Sequence, residues 1–117
     1  MADSMKARPH SPRRWRRAQR FSLSELGTGA EAAYRSTIVA ARATEGRASF
    51  DAARTAWAQA FHVEPDDGLY LAELRQAPTT LERLVDALET CDKTRKDALA
   101  ALERLFDAGL ILAPPDP

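Results

Sequence analysis

Between Pro78 and Gly109 the chain carries two helix starts and one helix stop, and this punctuation restricts its C-terminal part more than any other feature does. Thr79 and Glu82 stand at capping-box spacing just after Pro78, and Thr94 and Asp97 repeat the pattern. Gly109 sits where a left-handed residue ends a helix. Leu81, Leu84, Val85 and Leu88 form one apolar face, and Ala98, Leu102, Leu105 and Phe106 form the next. A short apolar helix at Leu69–Gln76, carrying Leu71 and Leu74, precedes both. Leu110-Ile111-Leu112 reads as a short extended run before the closing prolines.

The middle of the chain is alanine-rich and has no period-two strand pattern. Helices are expected at about 30–44 and 49–61, separated by Gly46. Tyr34, Ile38 and Ala41 give the first its apolar face. Ser49 is the expected N-cap of the second, with Asp51 in its first turn and a stripe of Phe50, Ala53, Trp57 and Phe61. Such an aromatic stripe belongs in a core. Pro65 and Gly68 bracket a turn.

The formal charge of zero is a cancellation. Residues 1–20 hold seven cations against one anion, whereas residues 21–117 hold ten against sixteen. A basic arm on an acidic body suggests a polyanion partner or self-association. Arginine donates two parallel hydrogen bonds to phosphate, and Trp15 among Arg13, Arg14, Arg16, Arg17 and Arg20 could stack on a base. The same arm also reads as a solvated tail, or one docked on the acidic body. Ser11-Pro12-Arg13-Arg14-Trp15 resembles a twin-arginine export signal, but Phe21–Gly27 is too polar and too short for the hydrophobic stretch that should follow. No apolar run approaches the roughly 20 residues of a membrane span. The expected location is the cytoplasm.

The helices leading into Leu102-Glu103-Arg104-Leu105-Phe106-Asp107-Ala108-Gly109-Leu110-Ile111 resemble a winged-helix or helix-turn-helix module over about Leu69 to Ala113. The turn from Leu88 to Thr94 is about three residues longer than in compact DNA readers of that kind. The wing is reduced to Leu110–Ala113, too little for a hairpin, although a first wing strand could pair with a segment elsewhere in the chain or with a partner. The resemblance implies that Thr94, Arg95 and Lys96 open a recognition helix, with Lys93 just before it. Arg95 and Lys96 would lie in a first turn, where the helix dipole disfavours cations and a phosphate would reverse that effect. Local pairing of Lys93, Arg95 and Lys96 with Asp92, Asp97 or Glu89 is the competing reading. From Leu69 to Ala113 six cations face eight anions, so the unit would lean on the arm, a dimer or a different ligand.

Catalytic chemistry is hard to find. His10 and His62 read as surface residues, Cys91 lacks a polarising histidine, and Gly27-Thr28-Gly29 lacks the lysine and preceding strand of a phosphate loop. One cysteine and two histidines make a structural zinc site improbable, and no cofactor is expected. The sequence therefore predicts an all-α, non-enzymatic protein in three parts. Residues 1–21 are a disordered basic arm, 22–64 an alanine-rich helical hairpin, and 65–117 a winged-helix-like trihelical unit. The expected function is a nucleic-acid-binding regulator using Arg13, Arg14, Arg16, Arg17, Arg20, Lys93, Thr94, Arg95 and Lys96. The alternative is a protein-interaction adaptor or homodimer that uses the wingless unit.

Overall fold

The computed structural model describes residues 15–43 and 47–114. Among the described residues, five helices and three short strands follow one another in the order β1 (Arg20–Leu23), α1 (Glu25–Ala43), α2 (Arg47–Phe61), α3 (Asp67–Gln76), β2 (Thr79–Thr80), α4 (Leu81–Glu89), α5 (Arg95–Asp107) and β3 (Ile111–Leu112). The protein is mostly helical, as its alanine and leucine content dictates, but it also has a small sheet.

That sheet is ordered β2-β1-β3, antiparallel throughout. Arg20 and Phe21 pair with Thr80 and Thr79 on one side, and Ser22 and Leu23 pair with Leu112 and Ile111 on the other. The strand after α5 thus finds its partner at the other end of the chain. The expected arm through residue 21 is corrected at its C-terminal end. Phe21 is fully buried, the Trp15 ring packs edge-on against Phe21 and Phe106, and the Gln19 and Arg17 carbonyls accept from the Leu81 and Glu82 amides. Alternation in β1 is too short to register as a period in the sequence.

α1 begins at Glu25 rather than near residue 30. Ser24 accepts from the Gly27 amide at 2.9 Å and donates to the Gly109 carbonyl at 2.6 Å, which ties the start of α1 to the end of α5. Gly27 is required there, since a Cβ would sit 1.7 Å from the Leu110 carbonyl oxygen. α2 begins at Arg47, so Ser49 lies inside the helix and is not its cap. The cap of α4 is Thr80, whose hydroxyl accepts from the Arg83 amide, while Thr79 is held in β2. The cap of α5 is as expected: Thr94 and Asp97 exchange both bonds of a capping box.

Three helices end alike. His62 (φ 61°), Asp92 (φ 61°) and Gly109 (φ 79°) adopt left-handed conformations, and the next residue donates back to the carbonyl five positions earlier. After α4 this closure uses Cys91 to Lys93, which accounts for the long connection to α5.

The core gathers Phe21, Tyr70, Leu71, Leu74, Leu81, Leu84, Leu88, Leu102, Leu105, Leu110 and Ile111 from every layer of the fold. α1 packs on both α2 and α3, so the hairpin and the C-terminal helices share that core. The Trp57 indole N–H donates to the Ala30 carbonyl at 2.9 Å, and its ring lies 4.8 Å from that of Tyr34.

Candidate nucleic-acid interface

α5 divides its surface sharply. Ala98, Ala101, Leu102 and Leu105 face the core, while Arg95, Lys96, Leu99, Ala100, Glu103, Arg104 and Asp107 line an open, largely apolar concavity on the outer side. Arg95 and Lys96 are exposed in its first turn and form no ion pair among the described residues. Thr94 is committed to capping, and its bonds hold the Asp97 carboxyl below the usual carboxylate range. The same first turn therefore carries two outward cations and one anion turned back on the backbone.

Lys93 does not join Arg95 and Lys96. Its ammonium bonds Asp66, which also accepts from Arg54 of α2. None of the local carboxylates Asp92, Asp97 or Glu89 is its hydrogen-bonded partner. The hydrogen bond to Asp66 raises the Lys93 pKa, and the bond from Lys93, followed by that from Arg54, lowers that of Asp66 despite partial burial. One residue on, Asp67 is buried and takes both Nε and Nη2 of Arg104 at 2.8 Å. Asp66 and Asp67 thus clamp the start of α3 to α2, to the turn before α5 and to α5 itself. Asp66 and Asp67 fall within the turn that Pro65 and Gly68 bracket. The pair's long-range partners leave no local spacing by which to find it.

The N-terminal cations form a second group. Arg13 and Arg14 lie outside the described residues. Arg16, Arg17 and Arg20 are exposed, and Arg17 reaches Glu82 at 3.7 Å. Arg20 shares a concavity between β2 and α4 with Arg83, a cation the sequence reading passed over, but Glu73, Glu82 and Asp86 line it too. Trp15 is partly buried against Phe21 and Phe106, so its ring anchors the chain.

The rest of the described surface offers little chemistry. Cys91 is exposed, and no group of three or more His, Cys, Asp or Glu residues among the described residues could hold a metal ion. No helix among them is long and apolar enough to cross a membrane. No family model, curated protein or solved structure matches the chain.

Proposed function

We propose that this chain is a small non-enzymatic nucleic-acid-binding protein whose α3, α4 and α5 form a winged-helix-like unit. In this reading β1 takes the place of the wing's return strand, and α5 is the helix that meets the groove. The observation that carries it is the sheet order β2-β1-β3. β3, emerging from α5, pairs with β1, and in this reading Arg16, Arg17 and Arg20 stand in for the wing of such a unit. The arginines and the α5 cations Arg95 and Lys96 then belong to one body, which offsets the net acidity of the C-terminal unit. Lys93 is omitted from the contact set, because Asp66 already engages it.

Phosphate contacts can be counted from the dependence of affinity on salt. Fluorescence anisotropy of the full chain with a mixed-sequence duplex at ~50 and ~200 mM salt is expected to show affinity falling steeply with salt. Arg95→Ala together with Lys96→Ala should flatten the slope by about 0.9 for each phosphate contact removed. Binding that ignores both substitutions would reduce the α5 role to shape. No binding at either salt would overturn the proposal and favour the protein-interaction reading, for which the exposed Leu26, Val39 and Leu112 are the natural contacts.

A further inference from the structure

Asp67 and Glu31 are both buried carboxylates, but they are matched differently. Asp67 takes one arginine, Arg104, and that pair is balanced in charge. Glu31 of α1, 2% exposed, takes two. Arg35, one turn on in the same helix, donates from Nε to Oε2 at 3.2 Å and from Nη2 to Oε1 at 3.0 Å. Arg75, in the last turn of α3, brings its Nε to 3.3 Å from the same Oε2.

Arg75 alone would balance Glu31 and tie α1 to α3. Arg35 bonds only within its own helix, so it adds no connection between elements and leaves one surplus positive charge. That surplus faces outward, since the Arg35 and Arg75 side chains are 54% and 49% exposed. At Asp66 the arrangement is reversed: the cations Arg54 and Lys93 are largely covered and the carboxylate is half-exposed. Both Nε atoms meet one oxygen of Glu31, so the two guanidiniums lie side by side on a carboxylate that solvent barely reaches. Nη1 of Arg35 and both terminal nitrogens of Arg75 have no hydrogen-bond partner among the described residues.

Guanidinium forks suit oxyanions. A carboxylate has two oxygens and is filled by one fork, as Arg35 on Glu31 shows. A phosphoryl group carries more acceptor oxygens and can meet two forks at once. As a monoanion it also matches the surplus charge. We propose that Arg35 and Arg75, aligned by Glu31, bind one phosphoryl group on the surface where α1 meets the end of α3. Glu31 is a positioning residue, because it acts through the two arginines. The site shares no residue with the proposed nucleic-acid surface and stands or falls separately from that reading.

The test titrates full-length chain, isotopically labelled on nitrogen, with inorganic phosphate at mildly acidic pH, where phosphate is a monoanion. Sodium chloride of equal ionic strength is the control, and the arginine Nε–H cross-peaks are followed by NMR. Arg35→Lys and Arg75→Lys assign the two peaks by their loss. Both peaks should shift together and saturably in phosphate but not in chloride, while the peak of Arg83, exposed and outside the pair, stays in place. Arg35→Gln, which removes only bonds within α1, should weaken phosphate binding at the Arg75 peak about tenfold, as expected for one charge-assisted hydrogen bond. Circular dichroism checks that this variant keeps its helices. A nucleoside monophosphate and a short duplex, titrated in the same way, separate the sources: tighter binding of the duplex assigns the phosphoryl group to a nucleic-acid backbone, and tighter binding of the monophosphate to a small phosphate ester. Peaks that do not move in phosphate, or move no more than in chloride or than that of Arg83, overturn the proposal. A phosphate affinity unchanged by Arg35→Gln overturns it too.

Discussion

Arg104 holds α5 to the start of α3 through a bidentate pair: its Nε donates to Oδ2 of Asp67 and its Nη2 to Oδ1, each at 2.8 Å. The Asp67 side chain is 1% exposed while that of Arg104 is 39% exposed, so the pair is sealed on one side only. Asp67 Oδ2 also accepts the Glu64 amide at 2.9 Å, which fixes the turn leading into α3. The carboxylate is therefore part of the scaffold that aims α5, and not a group available to a ligand.

Removing Arg104 should leave that buried carboxylate with one backbone donor. Arg104→Ala is expected to cost about 2–3 kcal/mol, below the full value for a buried pair because the guanidinium faces solvent. Arg104→Lys should recover only part of this, since an ammonium cannot reproduce the two-bond fork. Urea unfolding curves with an unchanged m-value measure it, and a loss under about 0.5 kcal/mol for Arg104→Ala would show the pair to be dispensable.

Two glycines in α1 make an internally controlled pair. A Cβ at Gly27 would lie 1.7 Å from the Leu110 carbonyl oxygen, whereas one at Gly29 would meet nothing within 4 Å. Gly29→Ala should stabilise by about 0.5–1 kcal/mol, by restricting the unfolded chain and raising helix propensity. Gly27→Ala should destabilise by about 2 kcal/mol or more, because α1 must move off the α5–β3 connection. Thermal melts of the two variants should shift in opposite directions, and a shift of the same sign in both would refute the close approach.

The Tyr70 hydroxyl is buried and has no hydrogen-bond partner among the described residues. Burial, reinforced by the nearby Asp97 and Asp67, pushes its pKa up to about 12. A raised folded-state pKa means that the stability it contributes is fully present below the ordinary tyrosine value near 10 and is lost as pH climbs toward 12. Tyr70→Phe keeps the ring and removes the unpaired oxygen. It should be neutral or stabilising by about 1 kcal/mol at pH 7, and the alkaline loss of stability between pH ~10 and ~12 should shrink. Urea titrations at pH 7 and across the alkaline range test both halves.

What the sequence disclosed and what it hid follow one rule. Features with a local chemical signature were legible: the Thr94–Asp97 capping box, the Gly109 terminator and the leucine faces of α4 and α5. The start of α1 was hidden because Gly27 and Gly29 depress helix propensity, and only the contact with Leu110 explains the first of them. The left-handed ends at His62 and Asp92 were hidden because neither is glycine or asparagine. The sheet was hidden because β1 finds both partners far along the chain. Among the candidate site residues, the exposed Arg95 and Lys96 kept the surface position expected of them, whereas the engagement of Lys93 by Asp66 depends on a contact 27 residues distant.

That contact separates two lysines only three positions apart. Lys93 bonds Asp66, and Lys96 is exposed with no ion pair among the described residues. The Lys93 bond, and after it that of Arg54, holds the Asp66 carboxyl below its ordinary value. Stability from a depressed carboxylate is present above the unfolded-state value near 4 and is lost as pH falls through the folded-state value. Lys93→Ala should therefore destabilise the protein at pH 7, by about 0.5–1 kcal/mol given the half-exposed Asp66, and the difference from the parent should fade as pH falls below about 4. Lys96→Ala should leave unfolding unchanged and flatten the salt dependence of duplex binding by about 0.9. Paired urea and anisotropy titrations of the two variants decide the matter. If Lys93→Ala cut affinity as much as Lys96→Ala with no change in stability, the ammonium of Lys93 would belong to the nucleic-acid surface and not to the clamp at the start of α3.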